Sequence, residues 1–296
     1  MPRLRTAVLA ALAIALVVVA AGAAVAIGRG AGSAPAATPI HAVIHSAALG
    51  RDMRVEVVLP RWLEPSKRYP VVYLFHGRGA DETSWFAGHA GDGIGVDRIT
   101  GDLVEAKRIP PLVLVSVEID DSYGVDSPPS NEGYAHGAYE RYILDDLIPS
   151  IEARYPVATD AAERFIAGYS MGGFAALHAA FRHPAMFAGV GALSPAVFRG
   201  TFADRAWLYP NAAARAANDP LRLADTADLG GLRVFLGYGN ADYPWIVVAT
   251  RELADRLAAR AVVAPPVSAT GGHEAATWRT LAPRMLVWLL GSEPAP

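Results

Sequence analysis

The chain has 296 residues, 29 acidic and 26 basic side chains and a net charge of −3, with the signs interspersed, a balance that speaks against nucleic acid or an acidic membrane surface as a partner. It contains no cysteine, which excludes disulfides, a thiolate nucleophile, thiolate-ligated zinc and a lipidated cysteine anchor. Beyond an atypical N-terminus roughly 250 residues remain, an ordinary size for one α/β domain.

Arg3 and Arg5 precede an uncharged apolar run over residues 7–27, followed by a small-residue stretch up to Pro39. A positive start, an apolar run and small-residue sites such as Ala24-Val25-Ala26 or Ala34-Pro35-Ala36 form the pattern of a secretory signal. The run is also about as long as a bilayer-spanning helix, so an uncleaved anchor with the arginines inside is the alternative. Either reading places the remainder outside the cytoplasm, with a signal or anchor over 1–27, a linker over 28–40 and a catalytic domain over 41–292. Any membrane association would run through that first segment alone.

Downstream, Arg54 and Glu56 alternate with Val55 and Val57, which predicts an antiparallel edge strand ending at Pro60. Continuous apolar runs over 71–75, 112–117 and 165–167 predict buried central strands. Further strands are expected over 190–193, 232–236 and 262–267, and helices over 138–154, 171–182, 243–261 and 274–290. Alternation of strands and helices predicts a mostly parallel sheet with helices on both faces, the α/β-hydrolase arrangement. Residues 195–230 lack a strand pattern and are expected to form a cover over one end of the sheet. Gly91-Asp92-Gly93-Ile94-Gly95 lacks the GxGxxG spacing of a dinucleotide loop and has no strand before it, so a glycine-rich surface loop is expected. His273-Glu274 is not followed by the second histidine of a HExxH zinc site, so no metal is expected there.

Gly168-Tyr169-Ser170-Met171-Gly172-Gly173 falls between a predicted buried strand and a predicted helix. In that setting a GxSxG serine is held on a strained turn that lifts its hydroxyl above the sheet, and Ser170 is the expected nucleophile. A serine hydroxyl needs a base and an orienting acid, which in this fold follow in the order acid, then histidine. Of the later histidines, His178 and His183 lie in or just past the helix after the nucleophile and face away from it. His273, in the flexible loop Thr270-Gly271-Gly272-His273, is the expected base. Asp242 ends the loop after the 232–236 strand and is the expected acid, whereas Asp225 and Asp228 precede that strand. Oxyanion donors are expected from the backbone N–H groups of Met171 and of Arg78, in the loop His76-Gly77-Arg78-Gly79 after the 71–75 strand. His76 is expected to support that loop. Trp85 and Tyr169 are candidate substrate-binding residues, with Asp120, Asp121, Tyr123 and Trp207 as further candidates for the cleft rim.

These residues resemble the α/β-hydrolase family that spans esterase D, feruloyl esterase-like, S-formylglutathione hydrolase-like and antigen 85 mycolyltransferase-like enzymes. The resemblance is carried by Tyr69-Pro70-Val71-Val72-Tyr73-Leu74-Phe75-His76-Gly77, Asp81-Glu82-Thr83-Ser84-Trp85, Tyr142-Ile143, Leu147-Ile148-Pro149, the block 167–176, His183-Pro184 with Phe187, Gly272-His273 and Trp278-Arg279. It implies a single catalytic domain, no metal or organic cofactor, and ester hydrolysis or acyl transfer through an acyl-serine. The expected function is an exported serine carboxylesterase acting on a small-molecule or carbohydrate ester. One alternative is an acyltransferase to an envelope carbohydrate; another is a non-catalytic binding module on the same fold. Mycolyltransferase-like members tend to carry alanine where this chain has Gly172, and leucine where Arg78 follows Gly77, which weakens the transferase reading.

Overall fold

The computed structural model describes residues 38–86, 93–129, 133–200 and 203–291. The proposed export segment, nearly all of the linker and Gly91-Asp92 lie outside the described residues.

The chain enters through an antiparallel hairpin, β1 (Ile40–Ser46) and β2 (Arg51–Val58), whose second strand pairs antiparallel with β4 (Val113–Val117). From there the sheet is parallel: β3 (Val71–Phe75) lies between β4 and β7 (Arg164–Tyr169), followed by β8 (Gly189–Leu193), β9 (Arg233–Gly239) and β10 (Pro266–Ala269). The order across this eight-stranded sheet is β1-β2-β4-β3-β7-β8-β9-β10, and β5 (Asp126–Ser127) and β6 (Gly137–Ala138) form a separate small ribbon. This is the predicted α/β-hydrolase arrangement.

Strands β3, β4, β7 and β8 are buried at every position, because helices cover both faces; this is why they read as unbroken apolar runs. Successive side chains alternate between two separate cores. Val71, Tyr73 and Phe75 join Phe174, Leu177, Phe181, Leu253 and Leu257 on one face. Val72 and Leu74 join Val96, Trp278, Leu281, Met285 and Leu289 on the other. The first face thus packs α4 (Met171–Arg182) and α7 (Pro244–Ala258), and the second packs α1 (Val96–Glu105) and α8 (Ala275–Leu290). Helices α2 (Tyr139–Arg141) and α3 (Ile148–Arg154) are joined by a π turn at Tyr142–Leu147, together filling the predicted 138–154 helix.

Three expectations are corrected. β2 is not the edge strand, because β1 pairs along its whole length and buries Glu56, which lies 3.0 Å from His41. The last strand starts at Pro266 instead of Val262, because the Val262 N–H donates to the Leu257 carbonyl and Ala261 takes φ +58, closing α7 with a left-handed cap. The described end of the glycine-rich loop is not simply surface: Ile94 is buried and Gly95 starts α1, a helix without a counterpart among the predicted elements. Residues 195–230 carry no strand among the described residues; α5 (Ala212–Asn218) and α6 (Pro220–Thr226) are capped by the side chains of Asn211 and Asp219.

Candidate active site

β7 delivers Ser170 to the carboxyl end of the sheet. Its φ of +54° and ψ of −119° are strained for any residue with a Cβ. The turn is fixed from outside by the Ser170 N–H donating to the Leu193 carbonyl at 2.8 Å, while α4 starts at once with Met171. The flanking glycines are required by close approach: a Cβ on Gly168 would lie 2.1 Å from the Gly172 carbonyl oxygen, and one on Gly172 would lie 2.2 Å from that of Phe75.

The loops after β9 and β10 are stitched together, with the Ala241 N–H donating to the Gly271 carbonyl at 2.9 Å and the Gly271 N–H to Asn240 Oδ1 at 3.2 Å. This aligns their two functional side chains. His273 Nε2 lies 2.8 Å from Ser170 Oγ, and His273 Nδ1 lies 2.9 Å from Asp242 Oδ1, which also accepts the Tyr243 N–H at 2.7 Å. Burial of Asp242 presses its pKa upward, but the hydrogen bond and charge of His273, with the Tyr243 N–H, outweigh this and hold the carboxyl below its usual range. Ionised at neutral pH, Asp242 can fix the imidazole with its proton on Nδ1, leaving Nε2 to accept from the serine. His178 and His183 stand apart from this chain: His178 is buried with Nδ1 3.2 Å from the Asn218 carbonyl, and His183 Nε2 lies 2.8 Å from Glu140.

The loop after β3 carries Arg78. The Gly79 N–H donates to Asp121 Oδ1 at 2.7 Å, and the Arg78 guanidinium lies 4.7 Å from the Tyr134 ring centre. Met171, at the first position of α4, has no carbonyl of its own helix to donate to. Neither the Arg78 nor the Met171 N–H finds an acceptor among the described residues.

Beneath that loop lies a buried charged network. His76 Nε2 is 3.0 Å from Glu118 Oε1 and Nδ1 is 2.8 Å from the Gly77 carbonyl; Glu118 Oε2 accepts from Arg54 at 2.8 Å, and Arg54 reaches Glu82 at 2.7 Å. Burial opposes the charge on both groups. The pairing more than offsets it, raising the His76 pKa and lowering that of Glu118 from 4.5 to about 2. The Glu118 contribution to stability is therefore complete above pH 4.5 and is lost as pH falls toward about 2. That of His76 is complete below its ordinary value and is lost as pH rises through the raised one. Glu118→Gln is expected to cost about 3–5 kcal/mol in urea unfolding at neutral pH, because the buried His76 loses its counter-charge, while the exposed Arg54 keeps Glu82. It should also flatten the acid-side fall in stability; an unchanged slope would remove Glu118 from the supports of this loop.

Two substrate-contact expectations are corrected. Trp85 is wholly buried, its Nε1–H donates to the Phe75 carbonyl at 3.0 Å, and its ring meets Tyr169 edge-on at 5.4 Å. Tyr169 is 5 % exposed and its hydroxyl donates to Ser84 Oγ at 2.9 Å. Both lock the end of β3 against β7 in place of lining a cleft. Tyr123 and Trp207 are likewise buried, 6.1 Å apart, and Asp120 is an ion-pair partner of Arg51. The exposed aromatic beside the imidazole is Tyr243, 55 % exposed with its ring 5.2 Å from that of His273. As the residue just before a helix it carries no pattern that marks it in the sequence.

A strained strand-to-helix serine hydrogen-bonded to a histidine, itself hydrogen-bonded to an aspartate, from later loops of this sheet points to the class of the α/β hydrolases. The family described as "Putative esterase" matches residues 46–289, and the chain belongs to this family of carboxylic ester hydrolases. Among its relatives, an endo-1,4-beta-xylanase/feruloyl esterase of Xylanibacter ruminicola is 34 % identical over 132 residues, covering 43 % of this chain and 17 % of that protein. An esterase of Mycobacterium tuberculosis is 33 % identical over 159 residues, covering 53 % and 32 %. The chain thus spans a third or less of the length of these curated relatives. Among solved structures, a ferulic acid esterase superposes with a TM-score of 0.70 at 23 % identity, covering 86 % of this chain and 97 % of that one. The fluorophosphonate-binding serine hydrolase F of Staphylococcus aureus gives 0.70 at 20 % identity, covering 86 % and 99 %. At these identities the structures establish the shared fold.

Proposed function

We propose that the protein is an exported serine carboxylesterase that works through an acyl-serine on Ser170. The observation that carries the reading is the unbroken hydrogen-bonded chain from Ser170 Oγ through His273 to Asp242. Ser170 Oγ attacks the ester carbonyl carbon as His273 Nε2 takes its proton; Asp242 stabilises the imidazolium without itself taking the proton. The carbonyl oxygen becomes an oxyanion facing the Arg78 and Met171 N–H groups, and the dipole of α4 adds to its stabilisation. Collapse of this intermediate breaks the C–O bond to the alcohol, which leaves with the proton from His273. Water then enters, gives a proton to His273 and attacks the acyl carbon; the second collapse frees the acid and restores Ser170. Export rests on the Arg3, Arg5 and 7–27 pattern.

Incubation with a short p-nitrophenyl ester should release p-nitrophenol, and a fluorophosphonate probe should label Ser170. Release that quickens with glycerol or trehalose, with acylated acceptor as product, would move the reading to acyl transfer. Absence of both turnover and labelling in folded protein would leave a binding module.

A further inference from the structure

The N–H of Arg78 shares a peptide plane with the Gly77 carbonyl, so whatever holds that carbonyl also aims the N–H. The peptide is trans, and its N–H and C=O point in opposite directions. Two donors pin the carbonyl: the Ala80 N–H at 3.1 Å, which closes a turn over residues 77–80, and His76 Nδ1 at 2.8 Å. A carbonyl oxygen only accepts, so Nδ1 carries its proton whether the imidazole is charged or neutral. The peptide so held runs beside the nucleophile: a Cβ added to Gly77 would lie 3.3 Å from that of Ser170. Turned over by half a rotation, it would put the Gly77 oxygen, an acceptor, in place of the donor.

The next peptide of the turn is held from the other side. Gly79 takes φ +73° while Arg78 keeps a negative φ, the pattern of a type II turn. Such a turn differs from type I in the orientation of its middle peptide, and here the N–H of that peptide, from Gly79, donates to Asp121 Oδ1 at 2.7 Å. The second oxygen of Asp121 lies 3.8 Å from Arg78 Nε. A single carboxylate oxygen joins the two holds: Glu118 Oε1 lies 3.0 Å from His76 Nε2 and accepts the Asp120 N–H at 2.7 Å, one residue before Asp121.

We infer that His76 and Asp121 are positioning residues that lock the 77–80 turn with the Arg78 N–H facing the reacting carbonyl. The inference rests on the proposed roles of Ser170 and of the Arg78 N–H. In it, neither side chain touches substrate; His76 holds the peptide that carries the donor and Asp121 the peptide after it, so the donor is aimed before an ester arrives. With either hold removed the turn gains other arrangements, and those with the N–H turned away bind the ester without stabilising its oxyanion. The loss therefore falls on kcat and leaves KM.

The test compares His76→Asn, His76→Gln, Asp121→Asn and Asp121→Ala by kcat and KM for a p-nitrophenyl ester, by melting temperature and by the Ki of an alkyl trifluoromethyl ketone. The carbonyl carbon of that ketone takes the Ser170 oxygen and leaves an oxyanion facing the donors, so its Ki should rise in step with the fall in kcat/KM. Asparagine carries an N–H one bond from Cγ, as Nδ1 does, whereas glutamine extends it toward Glu118. His76→Asn should keep the Gly77 contact and lose the Glu118 one, and His76→Gln the reverse. His76→Gln should therefore melt higher yet lose about 10²-fold in kcat, whereas the less stable His76→Asn should lose only about tenfold. Asp121→Ala should lower kcat on the order of tenfold at unchanged KM, and Asp121→Asn, which keeps the acceptor oxygen, should recover most of that loss. Should the buried His76 tolerate neither replacement, the partly exposed Asp121 pair decides alone. A kcat within about twofold of wild type in Asp121→Ala, or His76 losses that rank with melting temperature, would overturn the inference. An inactive, unlabelled wild type would instead overturn the proposed function.

Discussion

Ser170→Ala is expected to lower kcat for a p-nitrophenyl ester by on the order of 10⁵–10⁶-fold while leaving KM and the fold nearly unchanged. The hydroxyl is the only atom removed, and alanine inherits the same strained φ of +54°, so the backbone of the turn gains and loses little. What remains is the Arg78 and Met171 N–H pair, which can still polarise a bound carbonyl toward attack by water; removing a serine nucleophile in this way leaves a residual roughly 10³–10⁴-fold above the uncatalysed rate. Because Ser170, His273 and Asp242 act as one hydrogen-bonded unit, adding His273→Ala to Ser170→Ala should cost almost nothing further. Steady-state assays of the two single variants and the double variant check this. Strictly multiplicative losses would mean that the serine and histidine act independently, which the proposed mechanism forbids.

Gly172→Ala is the second large effect, and it acts through backbone. The added Cβ would sit 2.2 Å from the Phe75 carbonyl oxygen and 2.5 Å from that of His76, far inside contact distance, so the end of β3 or the start of α4 must shift. Either shift separates the Arg78 N–H from the Met171 N–H, because one follows β3 and the other opens α4. Loss of one oxyanion donor costs about 10²–10³-fold in kcat, and overpacking of this kind adds about 1–3 kcal/mol of destabilisation. The expected variant is thus folded, with a lowered melting temperature and kcat reduced at least a hundredfold, and still labelled by fluorophosphonate, though slowly. Full activity would show that the β3 end can yield without disturbing the donors.

Much of this site could be read from the sequence because each signal was local or ordered along the chain. The glycines at 168 and 172 announce a tight strand-to-helix turn, and the Ser, Asp, His order narrows the later candidates to Asp242 and His273 by their places after β9 and β10. The buried strands were equally legible, since burial on both faces removes polar residues from them. Where reading failed, the cause was tertiary. β1 alternates exposed histidines with Ile44 and resembles linker until β2 pairs with it. Val262 and Val263 have the composition of a strand but complete the cap of α7. Loops carry Trp85 and Tyr123, which predicts a cleft rim, whereas the fold turns their rings inward. Nor could the hold on the 77–80 turn be read, because His76 and Gly79 meet Glu118 and Asp121 only across 42 residues of chain.

The hydrogen bond that joins His273 to Ser170 spans 103 residues of chain, and the two loops that bring the base and the acid follow the last two strands of the sheet. On the proposed mechanism, a polypeptide that ends at α7 holds Ser170 with no base beside it, as unreactive as any serine in water. On that mechanism reactivity waits for β10 and α8 to dock, and chemical competence arrives with completion of the fold.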